Sequence, residues 1–206
     1  MMSLTVINYD QRVGRWEPNA RGRLELAALE LYVERGFEQT TVAEIAKRAG
    51  LAERTFFRHF TDKREVLFWG AGALQDLFVT TVTNAPGSYS PLQAVGAALE
   101  AAGGLLQERR DGALRRQSII SANPELQERE LIKLASLASA IARALRERGV
   151  NELAASLTGE AGIAVFKIGF ERWVADVDGR DLREYIRESL NELKNVASGD
   201  STIAPS

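Results

Sequence analysis

The chain has no cysteine, which excludes a disulfide framework and any thiolate metal site. It has one histidine, His59, so a serine–histidine triad or a histidine-rich metal site has nothing to be built from elsewhere. No Gly-x-Gly-x-x-Gly or phosphate-loop spacing occurs; the pair Gly103-Gly104 lacks both the spacing and a preceding strand. Glu128 and Glu130 fall on different faces of a helix and read as solvation. These absences argue against an enzyme and give no residues for a metal or cofactor. No apolar run reaches the ~18 residues that span a membrane. The opening MMSLTVINYDQR lacks the basic start and long apolar stretch of a signal peptide. The expectation is a cytoplasmic protein with no membrane partner. Neither sign of charge dominates: the net charge is −2. Residues 1–65 hold 11 Lys+Arg and 10 Asp+Glu, and the remainder 15 and 18, so basic groups act on a partner only where the fold makes them converge.

What is present is helical periodicity throughout, with no strand-length alternation and no internal repeat. The most informative stretch is Thr40 to Phe60, TTVAEIAKRAGLAERTFFRHF. Thr41 and Glu44 have the spacing of a capping box, and Val42, Ile45, Ala46 and Ala49 follow at helical intervals. Gly50 stands where a left-handed residue ends a helix, and Leu51 turns the chain back toward a core. A second helix begins near Glu53. Short helix, glycine-bearing turn and short helix together make a helix-turn-helix, whose second helix enters the major groove. At about 100° per residue, Phe56 and Phe60 share the buried side, Arg54, Thr55 and Arg58 face outward, and Phe57 and His59 take the flanks. Guanidinium groups suit guanine edges or phosphates, and a threonine suits a base edge or thymine methyl.

Basic residues also form a lead-in to the first helix, Arg12, Arg15, Arg21 and Arg23, with Lys63 beyond the recognition helix. These are expected to touch phosphate and to supply a salt-sensitive share of affinity. The DNA-binding set is Arg21, Thr40, Thr41, Arg54, Thr55, Phe57, Arg58, His59 and Lys63.

Helix 1 is expected over Pro18–Arg35 with Leu24, Ala27, Ala28, Leu31 and Tyr32 as its buried stripe. A fourth helix starts near Asp62, placed to cap with Glu65, and runs until Asn84-Ala-Pro86-Gly87 breaks it. A fifth spans Pro91 to about Arg109, and Asp111-Gly112 marks a bend into a shorter sixth ending near Ser121. Asn123-Pro124-Glu125 reads as capping asparagine, proline at the first helical position and an acid at the positive end. That helix continues to Arg148 and Gly149; further helices span Asn151–Ala175 and the stretch after Asp181.

Residues Arg23 to Leu67 resemble the DNA-binding domain of the TetR family of bacterial transcriptional regulators. The resemblance rests on Ala27-Ala28, Gly36-Phe37, Thr40-Thr41-Val42, Ile45-Ala46, Ala49-Gly50, and His59-Phe60 followed by Lys63. It covers about a fifth of the chain. It implies an all-α fold of about nine helices: a flexible basic arm (1–17), a three-helix helix-turn-helix domain (18–65), a helical ligand-binding and dimerisation domain (66–196), and a disordered tail (197–206). Two departures stand out. Family members usually have tyrosine at Phe57, whose hydroxyl reaches a phosphate, and many have serine at Ala52 as the cap of the recognition helix. Loss of a cap costs on the order of 1 kcal/mol, and Glu53 in the first turn offsets part of this through the helix dipole.

The resemblance further implies a homodimer, a double-stranded operator and a small-molecule effector of unknown class. Helices 8 and 9 and their symmetry mates would form the interface, drawing on Gly162, Phe166, Trp173, Leu182, Tyr185, Ile186 and Leu190. The same residues would equally close the chain's own core. A cavity among helices 4 to 8 would hold the effector. Its candidates are Trp69, Phe78, Leu105, Ile119, Phe166 and Phe170, with Arg115, Arg116 and Gln117 as polar anchors. The implied function is a ligand-responsive repressor. The competing reading is a helical dimer that senses a ligand or partner and binds DNA weakly or without sequence preference.

Overall fold

The computed structural model describes residues 20–199; the expected arm at 1–17, with Arg12 and Arg15, and the tail from 200 onward lie outside them. All regular elements among these residues are α-helices: α1 (Ala20–Arg35), α2 (Val42–Arg48), α3 (Glu53–His59), α4 (Glu65–Phe68), α5 (Gly70–Asn84), α6 (Pro91–Gln107), α7 (Arg110–Ser121), α8 (Pro124–Glu147), α9 (Glu152–Ala175) and α10 (Leu182–Ser198). Trp69, between α4 and α5, keeps helical torsions (φ −62°, ψ −31°). These two therefore form one rod, Glu65–Asn84, with a local fault in its hydrogen-bond ladder, and the described residues make nine helical units.

Two apolar clusters organise the chain. The head cluster joins Leu24, Ala28 and Leu31 of α1 to Ile45, Phe56 and Phe60, and then to Val66, Leu67 and Phe68 of α4. Ile119, Ile120 and Leu126, from the end of α7 and the start of α8, close it. The body cluster is built from α5, α6, α8, α9 and α10 around Phe78, Leu99, Ile141, Phe166, Trp173 and Ile186. The seam therefore falls near Trp69 rather than after residue 65, because α4 turns its apolar side into the head.

Several local expectations change in the tertiary setting. Asn123 does not cap α8 with its side chain; its amide instead donates to the Ile119 carbonyl at 2.6 Å, serving the end of α7. Asp62 accepts from the Arg64 and Glu65 backbone N–H groups at 2.8 and 3.2 Å, but Glu65 does not reciprocate. Its carboxylate goes to Arg129 (2.8 Å) and Lys133 (3.1 Å) of α8. The bend between α6 and α7 lies at Arg109 (φ −119°, ψ 27°), so Asp111 and Gly112 sit inside the first turn of α7.

Although no uncharged run is long, the rod and α9 each reach the length and apolarity of a membrane span. For α9 the reason is that two stripes are apolar. Ile163, Phe166 and Trp173 are buried in the body, while Leu153, Leu157 and Ile168 are exposed.

Candidate nucleic-acid interface

α2 is fixed at both ends. The Glu44 backbone N–H donates to Thr41 Oγ1 at 3.3 Å, and the Thr41 backbone N–H donates to Glu44 Oε2 at 2.9 Å, completing the capping box. At the other end Gly50 takes φ +66°, a left-handed conformation that favours glycine. The Leu51 N–H then reaches back to the Ala46 carbonyl at 2.9 Å. Arg48 clamps Glu34 of α1 with two hydrogen bonds of 2.9 and 2.8 Å. The turn thus has a defined shape, and α3 leaves it at a fixed angle.

α3 is seated by Phe56 (0% exposed) and Phe60 (4%), as the helical wheel requires. Arg54, Phe57 and Arg58 are exposed and Thr55 is half-buried. Neither Arg54 nor Arg58 makes an ion pair among the described residues, whereas Arg35, Arg48 and Arg64 of the same head are paired. An arginine pair left without carboxylates on one helix face is ready for anionic oxygens or guanine edges. His59 is half-buried, and its Nε2 has no hydrogen-bond partner within the described residues. Burial of the ring, followed by the charges of Arg58 and Arg21, lowers its pKa from the ordinary histidine value, which favours the neutral form. Ala52 begins α3 without a side-chain cap.

Four residues expected to touch DNA serve the scaffold instead. Lys63 Nζ donates to the carbonyls of Phe37 (2.8 Å), Thr40 (3.1 Å) and Glu38 (3.2 Å) and lies 4.3 Å from the centre of the Phe37 ring. All three ammonium donors are used, so the charge turns inward and none is left for phosphate. Thr40 is 1% exposed, and its hydroxyl donates to the Gly36 carbonyl at 2.8 Å. Arg23 reaches the carbonyls of Ala49 and Gly50 and so ties α1 to the helix-turn-helix turn. Thr41 is exposed, but its hydroxyl is committed to Glu44. Arg21 remains exposed, with its guanidinium 5.4 Å from the Trp69 ring.

The candidates for an effector cavity divide between the two cores. Phe78, Phe166 and Phe170 stand in one aromatic row that ends on Trp173, with successive ring centres 6.2, 6.0 and 5.5 Å apart. Leu105 is half-buried on α6. Trp69 and Ile119 belong to the head cluster, away from that row. Arg115 is exposed. Arg116 donates to the Leu67 carbonyl at 2.7 Å and to Glu130 at 3.0 Å, with its guanidinium 5.0 Å from the Phe68 ring. Gln117 is half-buried, and its Oε1 has no hydrogen-bond partner among the described residues. An open notch of about 370 Å³ lies between α1 and α7, lined by Tyr32, Val33, Phe37, Ser118, Ile119 and Asn123 among others. Of the effector candidates, only Ile119 reaches it.

The residues expected at a dimer interface are covered by their own chain. Trp173, Leu182 and Ile186 are 0% exposed, and Tyr185 and Phe166 are buried. Trp173 also donates its indole N–H to Gln107 at 2.9 Å. A Cβ on Gly162 would lie 2.6 Å from Val95, and Leu190 packs over Gly96. Small residues on α9 thus admit α6 and α10 of the same chain.

Sequence reading missed the ties between head and body: Arg116 to Leu67 and Glu130, and Glu65 to Arg129 and Lys133. The two Glu65 pairs span 64 and 68 residues, a separation at which no local spacing rule operates.

A capped helix, a left-handed glycine turn and a second helix with an exposed arginine face define a helix-turn-helix DNA-binding protein with a helical body. The model of the bacterial regulatory proteins of the tetR family matches residues 26–68, and that of the MftR C-terminal domain matches residues 89–198. The regulator TcmR of Streptomyces glaucescens is 30% identical over 186 residues, covering 84% of this chain and 82% of TcmR. The crystal structure of FadR from Thermus thermophilus, in complex with lauroyl-CoA, is 27% identical with a TM-score of 0.56, covering 90% of this chain and 97% of that one. FadR from Bacillus subtilis, in complex with stearoyl-CoA, shares the fold at 19% identity and a TM-score of 0.60, covering 84% and 96%. The chain belongs to the TetR family and is a DNA-binding transcriptional regulator.

Proposed function

We propose that the protein represses transcription as a homodimer on a pseudopalindromic operator in the cytoplasm and is released by an amphipathic effector. The observation that carries the DNA half is the pair Arg54 and Arg58, exposed and without carboxylate partners among the described residues, on an α3 held by buried Phe56. The effector half is supported by the aromatic row Phe78–Phe166–Phe170 and by the likeness to a FadR that binds lauroyl-CoA. An apolar chain with a polar head suits a body whose core holds a row of phenylalanines.

The outer stripe of α9 supports a dimer better than the residues first expected. Leu153, Leu157 and Ile168 are 70, 62 and 51% exposed, with Ala161 and Ala164 between them at helical spacing. Leu131 and Ile132 of α8 are also exposed, and α8 and α9 are extensively packed neighbours. Covering such a face against a second copy places two recognition helices for half-sites about one helical turn apart.

Binding by fluorescence anisotropy to duplexes tiled across the DNA flanking the gene, at two salt concentrations, tests the reading. One tile held orders of magnitude more tightly supports a specific regulator. Equal binding to every tile, abolished by salt, favours the weak binder that uncapped Ala52 and acidic Glu53 would produce. Lauroyl-CoA added to the specific complex then probes release.

A further inference from the structure

We infer that Phe57 is a sequence-reading residue: its ring makes apolar contact with the C5-methyl group of a thymine in each operator half-site. The inference rests on the DNA-binding reading of α3 and adds to it a base and a contact.

Phe57 is the phenylalanine of α3 that the fold does not bury. It is 54% exposed, against 0% for Phe56 and 4% for Phe60. Its ring lies 5.5 Å from that of Phe56, nearly perpendicular at 81°, so the head supports one part of the ring and leaves much of it to solvent. Around the helix its neighbour on the outward side is Arg54, about 60° away by helical arithmetic, and Arg58 lies beyond. Both guanidiniums are free of carboxylates among the described residues, so an apolar ring flanks the surface best prepared for a polyanion.

The chemistry of that ring narrows its partner. Phenylalanine has no donor for a phosphate oxygen and none for a base edge, so it gains from burying apolar surface. Among the base edges of the major groove, the thymine C5-methyl is the apolar group, and phenylalanine is one of the side chains that meets it. The methyl projects toward the side of the groove nearest its own strand's backbone. The flank of an inserted helix passes there, and Phe57 is on the flank.

The test uses the full-length protein and an operator selected from a random duplex pool. Each thymine of that operator is replaced in turn by deoxyuridine, which removes the methyl and leaves base pairing intact. The expected result is a loss of about fourfold at one thymine per half-site, the worth of one buried methyl group. Phe57→Ala should bind the thymine operator more weakly and be indifferent to deoxyuridine at that position. Phe57→Tyr, which keeps the ring, should retain the sensitivity. Circular dichroism of both variants checks that α3 is intact, as expected for an exposed position.

A selected operator on which no deoxyuridine substitution matters overturns the inference, and leaves the DNA-binding reading standing. A methyl effect that persists undiminished in Phe57→Ala overturns it too, since the methyl is then read by another residue. A uniform loss by Phe57→Ala on all sequences with a flat deoxyuridine scan assigns the ring to the sugar wall and likewise overturns it. Failure to select any operator removes both the inference and the reading beneath it.

Discussion

Arg58 and Lys63 lie five residues apart and carry the same charge, yet the fold directs them oppositely. Arg58 stands exposed on α3 with no ion pair among the described residues, while Lys63 spends its ammonium on three carbonyls of the segment after α1. Arg58→Ala is therefore expected to weaken operator binding by 1–3 kcal/mol, roughly the worth of a bidentate base contact, and to relax preference at one base pair. Anisotropy on operators varied at single positions measures both effects; a uniform loss on every sequence would assign Arg58 to phosphate. Lys63→Ala is expected to act on the head's stability. Leaving three carbonyls without a charged donor should cost on the order of 2 kcal/mol, seen as a lowered midpoint in urea melts monitored by tryptophan fluorescence. An unchanged midpoint with a shallower salt dependence of DNA binding would return Lys63 to the phosphate role.

At the scale of the element, glycines of one residue type have opposite meanings. Gly70 and Gly72 lie in the rod, where an added Cβ would meet nothing within 4 Å. Glycine inside a helix costs about 0.5–1 kcal/mol relative to alanine, so Gly70→Ala and Gly72→Ala should each stabilise the chain by about that amount. Gly159 and Gly162 face the opposite case. A Cβ there would lie 2.7 Å from the Ala138 carbonyl and 2.6 Å from Val95, so α9 would have to move off α8 or α6. Each substitution to alanine is expected to destabilise by about 1–3 kcal/mol. Thermal melts of the four variants should separate into two groups; Gly162→Ala melting with wild type would show that α6 and α9 are less closely packed than described. The same close approach makes α9 a core helix on one side and leaves its leucines on the other.

For the whole molecule, the ties across the seam and the outer stripe of α9 decide how two heads are presented. Glu65 and Leu67 of α4 are held by α7 and α8 through Arg116, Arg129 and Lys133, so the head and the near ends of those helices move as one piece. The exposed Leu157 and Ile168 offer the matching surface for a second copy. Leu157→Glu with Ile168→Glu is expected to give a folded monomer in light scattering, because both side chains leave the core untouched. Its operator affinity should fall by orders of magnitude, since one head then binds alone. A double variant that remains dimeric would place the interface elsewhere.

Local sequence determined the secondary structure and the reading face of this protein. The Thr41–Glu44 box, the left-handed Gly50 and the 3.6-residue spacing of Phe56 and Phe60 act within a few residues, and each appears in the structure as the spacing requires. The outward position of Arg54 and Arg58 follows from the same period. Tertiary structure decided which polar groups remain free and which apolar stripes remain bare. Thr40 and Lys63 meet carbonyls up to 26 residues away, and Asn123 donates its amide to the Ile119 carbonyl of α7 rather than capping α8. Leu182, Tyr185 and Ile186 form the stripe the sequence shows, but α6 and α9 cover it. Periodicity tells a helix that it has an apolar side; only the packing of the other helices determines whether that side meets its own chain or a second one.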